Sequence, residues 1–129
     1  MGDFDTQEVR FKGRPAGEVD RPYEMCTRLG GDSWGWSPSS ATDIMSLDSC
    51  IQLLVRVVTQ DGNLMLNVGP RPDGQIEPAE VQRLKEIGGF LSRYGESIYG
   101  TRGGRRGMIR ASSQSIRESR RMNALSSMP

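Results

Sequence analysis

The stretch DGNLMLNVGPRPDG, residues 61–74, decides the fold of this chain. An Asp-Gly turn signal opens it, and residues 63–68 form a short, mostly apolar run that Gly-Pro and Pro-Asp-Gly end abruptly. This pattern predicts a buried strand with a tight exit loop. Amphipathic helical patterns flank the strand, and alternating strands and helices are typical of a parallel α/β fold. Because the loops after such strands carry the chemistry, we expect residues 67–74 on the functional side.

The length of the chain limits the architecture. Its 129 residues suit one small domain but fall far short of the roughly 250 residues of a complete (β/α)8 barrel. If the fold is a barrel, this chain is therefore a piece of one. Apolar residues make up 35% of the chain and aromatic residues 6%, which predicts a thin core.

The formal net charge of +1 conceals an asymmetry. Residues 105–129 hold six Arg against one Glu, a net charge of +5, which leaves −4 on residues 1–104. A mildly acidic body gives no reason to expect nucleic acid as a partner. We expect residues 105–129 to be disordered, because isolated Met, Ile and Leu cannot bury enough apolar surface. No run approaches the roughly 18 apolar residues that span a bilayer, so we expect no membrane partner.

The chain contains no His, which excludes Ser-His and Cys-His nucleophilic dyads and removes the commonest transition-metal ligand. Cys26 and Cys50 are the only cysteines. They are too few for a zinc site, so we expect neither a metal nor a cofactor. The pair forms either a disulfide or two buried thiols, and two buried thiols is the preferred interpretation.

The helices follow from the spacing of apolar residues. Residues 1–42 show almost no periodicity, so we expect loops and short extended pieces there. Apolar residues then recur at helical spacing, which predicts a helix over 44–59 capped by residue 42 or 43. A second helix should begin at Pro78 and end at a left-handed Gly95. Its buried apolar stripe is expected to comprise Val81, Leu84, Ile87, Phe90, Leu91 and Tyr94. Its Gly88-Gly89 pair weakens it by roughly 2 kcal/mol unless the backbone packs closely there.

Two kinds of side chain are candidates for chemistry. Glu8 and Glu24 lie beside bulky apolar residues, where the pKa of a carboxyl can rise enough to make it a general acid. The ordinary role of such a Glu is a solvated surface charge. Trp34 and Trp36 offer flat indole surfaces that either stack on a sugar or anchor their loop. Composition alone favours the surface charge and the anchor.

Five motifs follow one another in the chain: GDFDTQE at 2–8, RPYEMC at 21–26, SWGW at 33–36, GNLMLNVGP at 62–70 with PDG at 72–74, and GESIYG at 95–100. In this order they resemble the landmarks of glycoside hydrolase family 29, the alpha-L-fucosidases. The resemblance covers residues 2–104. It implies that residues 1–104 are the last strand-helix units of a partial (β/α)8 TIM-barrel-like catalytic domain. The basic tail over 105–129 does not resemble the family, whose members continue into further structure there.

The resemblance also implies roles for single residues. Retaining glycosidases use two carboxyl groups about 5 to 5.5 Å apart, and the family's nucleophile is an Asp on an earlier strand, upstream of the first motif. The acid/base carboxyl differs between subgroups: Glu24 matches one version and Glu8 the other, with Glu24 slightly preferred. Trp34 matches a Trp that lines the fucose pocket. Trp36 stands where the family has Tyr, and Gln7 where it has Pro.

The function implied is that of a retaining alpha-L-fucosidase acting on fucosylated glycans, present as a fragment that lacks its nucleophile and has no turnover alone. The alternative is a non-catalytic remnant that binds glycans weakly or not at all. Full-length relatives are commonly exported, and any export signal would have preceded Met1. The sequence leaves the compartment and the oligomeric state open.

Overall fold

The computed structural model describes residues 4–13 and 22–103. The elements in this part of the chain are β1 (Asp5–Glu8), β2 (Tyr23–Arg28), a 3-10 helix (Pro38–Ala41), α1 (Leu47–Val58), β3 (Gly62–Asn67), α2 (Pro78–Tyr94) and a second 3-10 helix (Gly95–Ser97). The tail that we expect to be disordered lies outside the described residues.

The three strands form one parallel sheet in the order β1-β2-β3. On the central strand, Tyr23 pairs with Asp5 of β1 and with Gly62 of β3. The α/β class with a parallel sheet is therefore confirmed. Strands that pair in sequence order, without a reversal, are how a barrel is built, whereas a doubly wound sheet reverses its order.

The sheet has one covered face and one open face. Residues 23, 25 and 27 of β2 are buried, whereas residues 24, 26 and 28 are only half-buried. Tyr23 and Met25 pack with Val57 of α1, and the Tyr23 hydroxyl donates a hydrogen bond to the Val57 carbonyl at 3.1 Å. On the other face, Met65 in the middle of β3 is 46% exposed. The core thus lies between the sheet and α1, and we call the opposite side the open face.

The strand predicted over 63–68 is present as β3, one residue earlier, but the prediction that it is buried was wrong. Only Gly62 is fully buried in β3, because α1 covers one side of the sheet and the other side remains open. The prediction of only short extended pieces before residue 42 missed β2, a six-residue strand. Its sequence, YEMCTR, alternates as a half-buried strand should, but Gly- and Pro-rich neighbours obscured it.

The first helix begins later than predicted. Its N-cap is Ser46, whose hydroxyl accepts a hydrogen bond from the Ser49 amide at 3.2 Å, and residues 42 and 43 play no such part. The reason is an antiparallel bridge between Gly30 and Ile44. That bridge keeps residues 43–45 extended, since Met45 donates its amide to the Leu29 carbonyl at 2.9 Å.

The second helix begins at Pro78 as predicted, but its end and its exposure differ from the prediction. Gly95 has φ −60° and ψ −23°, a right-handed conformation that continues into a 3-10 turn. Of the stripe expected to be buried, Leu84 is 38% and Tyr94 50% exposed. This helix packs against α1 and the 3-10 helix Pro38–Ala41, so only part of its apolar surface meets the rest of the described chain.

The glycine pair in α2 is a site where stability should increase on substitution. Among the residues that the structure describes, a Cβ at Gly88 or Gly89 would meet no atom within 4 Å, so close packing with this part of the chain does not explain these residues. We expect Gly88→Ala and Gly89→Ala each to raise the free energy of unfolding by about 0.5–1 kcal/mol, measured by urea denaturation. The matched control is Gly62→Ala, where the new Cβ would lie 2.3 Å from the Tyr23 ring. This substitution should lower the free energy of unfolding. A loss of stability in the α2 variants would contradict the open packing.

Candidate active site

The open face brings the two predicted acids together. Thr6 pairs with Glu24, and Glu8 pairs with Cys26. Paired residues of neighbouring strands project from the same side of a sheet, and so do residues two apart on one strand. Burial raises the pKa of the Cys26 thiol, and the negative charges of Glu8 and Glu24 raise it further. Both carboxylates therefore lie close to this thiol, on the side of the sheet away from α1.

The two acids differ in depth along the sheet. Glu8 is the last residue of β1, whereas Glu24 is the second residue of β2. Since Glu8 pairs with Cys26, it lies two residues nearer the carboxyl edge of the sheet than Glu24, a step of about 6.6 Å. The Glu8 side chain is exposed and the Glu24 side chain is half-buried. Glu8 is thus at the rim of the open face, and Glu24 is below it.

The loops after β2 and β3 meet at this carboxyl edge. Asn67, the last residue of β3, donates a side-chain hydrogen bond to the Trp34 carbonyl at 2.8 Å. Gly69 follows so closely that a Cβ on it would lie 2.4 Å from the backbone nitrogen of Trp36. A side chain at position 69 would therefore push the tryptophan loop away, and the predicted functional stretch holds that loop in place.

Both tryptophans are accessible at the rim. Trp34 is 40% exposed and Trp36 37% exposed, so a large part of each indole surface faces solvent. The indole Nε1 of Trp36 donates to Glu77 Oε1 at 2.8 Å. This bond fixes the orientation of the ring and leaves the remaining indole surface free for stacking.

A buried carboxyl that the sequence did not single out lies behind this rim. Glu80, in the first turn of α2, is 1% exposed, and among the described residues neither of its oxygens has a hydrogen-bond partner. Burial raises its pKa, with a smaller contribution from the negative charge of Glu77. A Cβ on Gly30 would lie 3.3 Å from Glu80 Oε1. The carboxyl therefore lies close to the space that a side chain at position 30 would fill. Only the position of Glu80 at a helix start was visible in the sequence.

Glu80 should make stability depend on pH. Because its pKa in the folded chain is above the ordinary 4.5, the folded state binds the proton more tightly than the unfolded state. Stability should therefore fall as pH rises from about 4.5 through the raised pKa. We expect Glu80→Gln to flatten this decline and to raise the unfolding midpoint at pH 7, measured by thermal denaturation from pH 4 to 8. The exposed Glu96→Gln is the control, and parallel curves for Glu80→Gln and the wild type would contradict the effect.

The remaining site predictions concern sulfur, metals and membranes. Cys26 and Cys50 are both free thiols, of which Cys50 is buried and Cys26 half-buried. Within residues 4–13 and 22–103, no three Cys, Asp or Glu side chains gather into a group that could hold a metal ion. Across the same described residues, no helix combines the length and apolar character required to cross a membrane.

Known proteins resemble this chain in sequence and structure. A family model described as alpha-L-fucosidase matches residues 1–96. Human tissue alpha-L-fucosidase is 37% identical over 102 residues, which are 78% of this chain and 22% of that protein. The structure of alpha-L-fucosidase isoenzyme 1 from Paenibacillus thiaminolyticus matches with a TM-score of 0.71 and 31% identity, covering 80% of this chain and 25% of that one. Thermotoga maritima alpha-fucosidase in complex with fucose matches with a TM-score of 0.67 and 34% identity, covering 81% and 22%. The chain therefore spans only about a quarter or less of the proteins that it matches.

Proposed function

This chain belongs to the alpha-L-fucosidase family, and from that membership we propose that it is the closing section of a (β/α)8 barrel that hydrolyses alpha-L-fucosyl linkages of glycans. The observation that carries the proposal is the open face, where strand register brings Glu8 and Glu24 to the same side of the sheet. The tryptophan loop lies at the carboxyl edge of the same sheet, held by Asn67 of β3. A helix on one side of a sequentially ordered parallel sheet, with polar side chains on the other, is what a segment cut from a barrel would have.

We propose that the other half of the catalytic machinery comes from outside this chain. Retaining hydrolysis requires a nucleophilic carboxylate about 5 to 5.5 Å from the acid. The family resemblance implies that this carboxylate belongs to an Asp on an earlier strand. The length of the human relative supports the proposal, since this chain covers only 22% of it. The chain would then supply the acid/base and part of the sugar pocket, and the missing strands would supply the nucleophile.

Two observations support Glu8 as the acid/base, although the sequence slightly favoured Glu24. Glu8 ends β1 at the carboxyl edge, and its side chain is exposed. A general acid must come within about 2.6–3.2 Å of the glycosidic oxygen, and a rim position allows this. Glu24 lies two residues further from the carboxyl edge than Cys26, on the same strand. At that depth the interior of a barrel is filled by packed side chains, which leaves less room for a glycan.

The proposed reaction has two steps. In the first, the nucleophile attacks the anomeric carbon of fucose while Glu8 gives its proton to the departing oxygen, and a covalent fucosyl-enzyme forms. In the second, the Glu8 carboxylate takes a proton from water, which attacks the same carbon and releases fucose with its configuration retained. Trp34, fixed through its carbonyl by Asn67, would line the fucose pocket.

A graft tests this proposal. Residues 4–103 would replace the matching segment of the Paenibacillus thiaminolyticus enzyme, and release of 4-nitrophenol from 4-nitrophenyl alpha-L-fucoside would be measured. We expect this chimera to hydrolyse the fucoside, because the grafted strands complete the barrel. Glu8 would then lie close to the nucleophilic carboxylate of the parent enzyme. The control is the parent enzyme with its own segment removed and restored by the same procedure. A folded but inactive chimera would support the non-catalytic remnant instead.

A further inference from the structure

The chain folds back on itself immediately after β1. The Arg10 amide donates a hydrogen bond to the Glu8 carbonyl at 2.7 Å, which closes a three-residue turn with Val9 at its centre. Val9 has a φ of 64°, and a positive φ is costly for a β-branched residue. Three-residue turns with a positive φ at the centre are rare and strained. Further contacts are therefore needed to hold the backbone in this conformation.

Two hydrogen bonds hold the turn against β2. The Val9 amide donates to the Cys26 carbonyl at 3.0 Å, which extends the contact between the two strands by one residue. The Thr27 hydroxyl donates to the Val9 carbonyl at 3.4 Å. Both bonds fix the position of Val9, but neither involves the residues that follow it. The rest of the loop is held by a different residue.

The side chain of Gln7 closes the loop over residues 9–13. Its Oε1 accepts a hydrogen bond from the Lys12 amide at 3.1 Å, and its Nε2 donates to the Gly13 carbonyl at 3.1 Å. Gln7 pairs with Met25, whose side chain is buried, so Gln7 projects from the side of the sheet that α1 covers. One side-chain amide therefore joins β1 to the end of the loop.

An aromatic contact anchors the middle of the loop on the same side of the sheet. Phe11 is half-buried and packs against the core, and its ring lies nearly parallel to that of Tyr23, with 6.3 Å between the centroids. The Arg56 guanidinium lies 5.5 Å from the centroid of the Phe11 ring. The loop therefore folds toward α1, whereas Glu8 projects from the open face.

We propose that Gln7 is a positioning residue for Glu8. Its two hydrogen bonds keep the loop folded toward α1, so that β1 ends at Glu8 and the carboxyl stays at the rim of the open face. This inference rests on the proposed function, in which Glu8 is the acid/base. The family that the chain resembles has Pro at position 7, and a Pro side chain has neither a donor nor an acceptor. The contact is therefore particular to this chain.

The test compares two leaving groups in the chimera. Gln7→Met keeps the length of the side chain but removes both hydrogen bonds. We expect it to lower kcat/KM for a fucosyl-disaccharide about tenfold, because a small misplacement of the acid slows proton transfer. For 4-nitrophenyl alpha-L-fucoside the same constant should change by no more than about twofold, since this leaving group departs without a proton from Glu8. The matched control is Gln52→Met, at an exposed position of α1, which should alter neither constant.

Hydrogen exchange provides a second measurement, which does not depend on activity. Mass spectrometry of the peptide over residues 7–13 should show faster exchange in the Gln7→Met chimera than in the unsubstituted one, because the Lys12 amide loses its acceptor. Gln52→Met should leave the exchange of this peptide unchanged.

The outcomes separate the role of Gln7 from the proposed function. An equal loss of kcat/KM for both substrates in Gln7→Met would indicate less folded enzyme rather than a misplaced acid, and would overturn the positioning role. Unchanged rates or unchanged exchange would overturn it as well. In each of these cases the proposed function stands if Glu8→Ala still slows the disaccharide selectively. If Glu8→Ala shows no such selectivity, the proposed function fails, and the role of Gln7 fails with it.

Discussion

Replacing Glu8 by Ala in the chimera is expected to lower kcat/KM for a fucosyl-disaccharide by about 10²- to 10⁴-fold, the usual contribution of a general acid. A sugar leaving group needs a proton to depart, and no other described carboxyl of the open face lies at its rim. An aryl fucoside with a good leaving group needs no such proton, so its first step should survive. Added azide should then attack the fucosyl-enzyme in place of water and restore turnover.

Glu24→Ala is the matched control for this prediction. Glu24 lies on the same face and carries the same charge, but it is about 6.6 Å deeper along the sheet. We expect its loss to lower the rate less and azide to give no rescue. Rescue of Glu24→Ala but not of Glu8→Ala would return the acid/base role to Glu24, and rescue of neither would remove both assignments.

The isolated chain is expected to have far less fucosidase activity than the chimera. If the nucleophile belongs to the missing strands, the 129-residue chain should hydrolyse 4-nitrophenyl fucoside more slowly than the chimera by on the order of 10³-fold or more. Assay of both proteins at equal concentration measures this ratio.

The open face should also make the isolated chain unfold gradually. Met65, in the middle of this face, is 46% exposed, and burial of such apolar surface is what makes a domain cooperative. Thermal unfolding followed by circular dichroism should therefore be broad. A sharp transition together with fucosidase turnover would contradict the proposal that this is a barrel segment.

Much of the fold could be predicted from local patterns. The strand over residues 63–68 and the start of α2 at Pro78 follow from turn signals and helix-start preferences, which depend on near neighbours. The start of α1 could not be predicted in this way. The helix begins only at Leu47 because of the bridge between Gly30 and Ile44. The local sequence around either residue does not reveal such a contact.

In the candidate site, too, the sequence indicated individual residues but not the contacts between them. Residue types drew attention to Glu8, Glu24 and the tryptophans, but only the strand register brings the two acids to one face. The bond between Trp36 and Glu77 joins residues 41 positions apart, and the burial of Glu80 depends on the space left by Gly30. Such contacts are set by tertiary packing, which single-residue preferences do not encode.

The most direct measurement of the central claim is a crystal structure of the chimera with a non-hydrolysable alpha-L-fucosyl disaccharide. The account predicts a carboxyl oxygen of Glu8 within about 2.6–3.2 Å of the glycosidic oxygen and about 5 to 5.5 Å from the nucleophile carboxyl. Fucose bound away from the open face, with Glu8 and Glu24 both out of reach of the glycosidic oxygen, would contradict it.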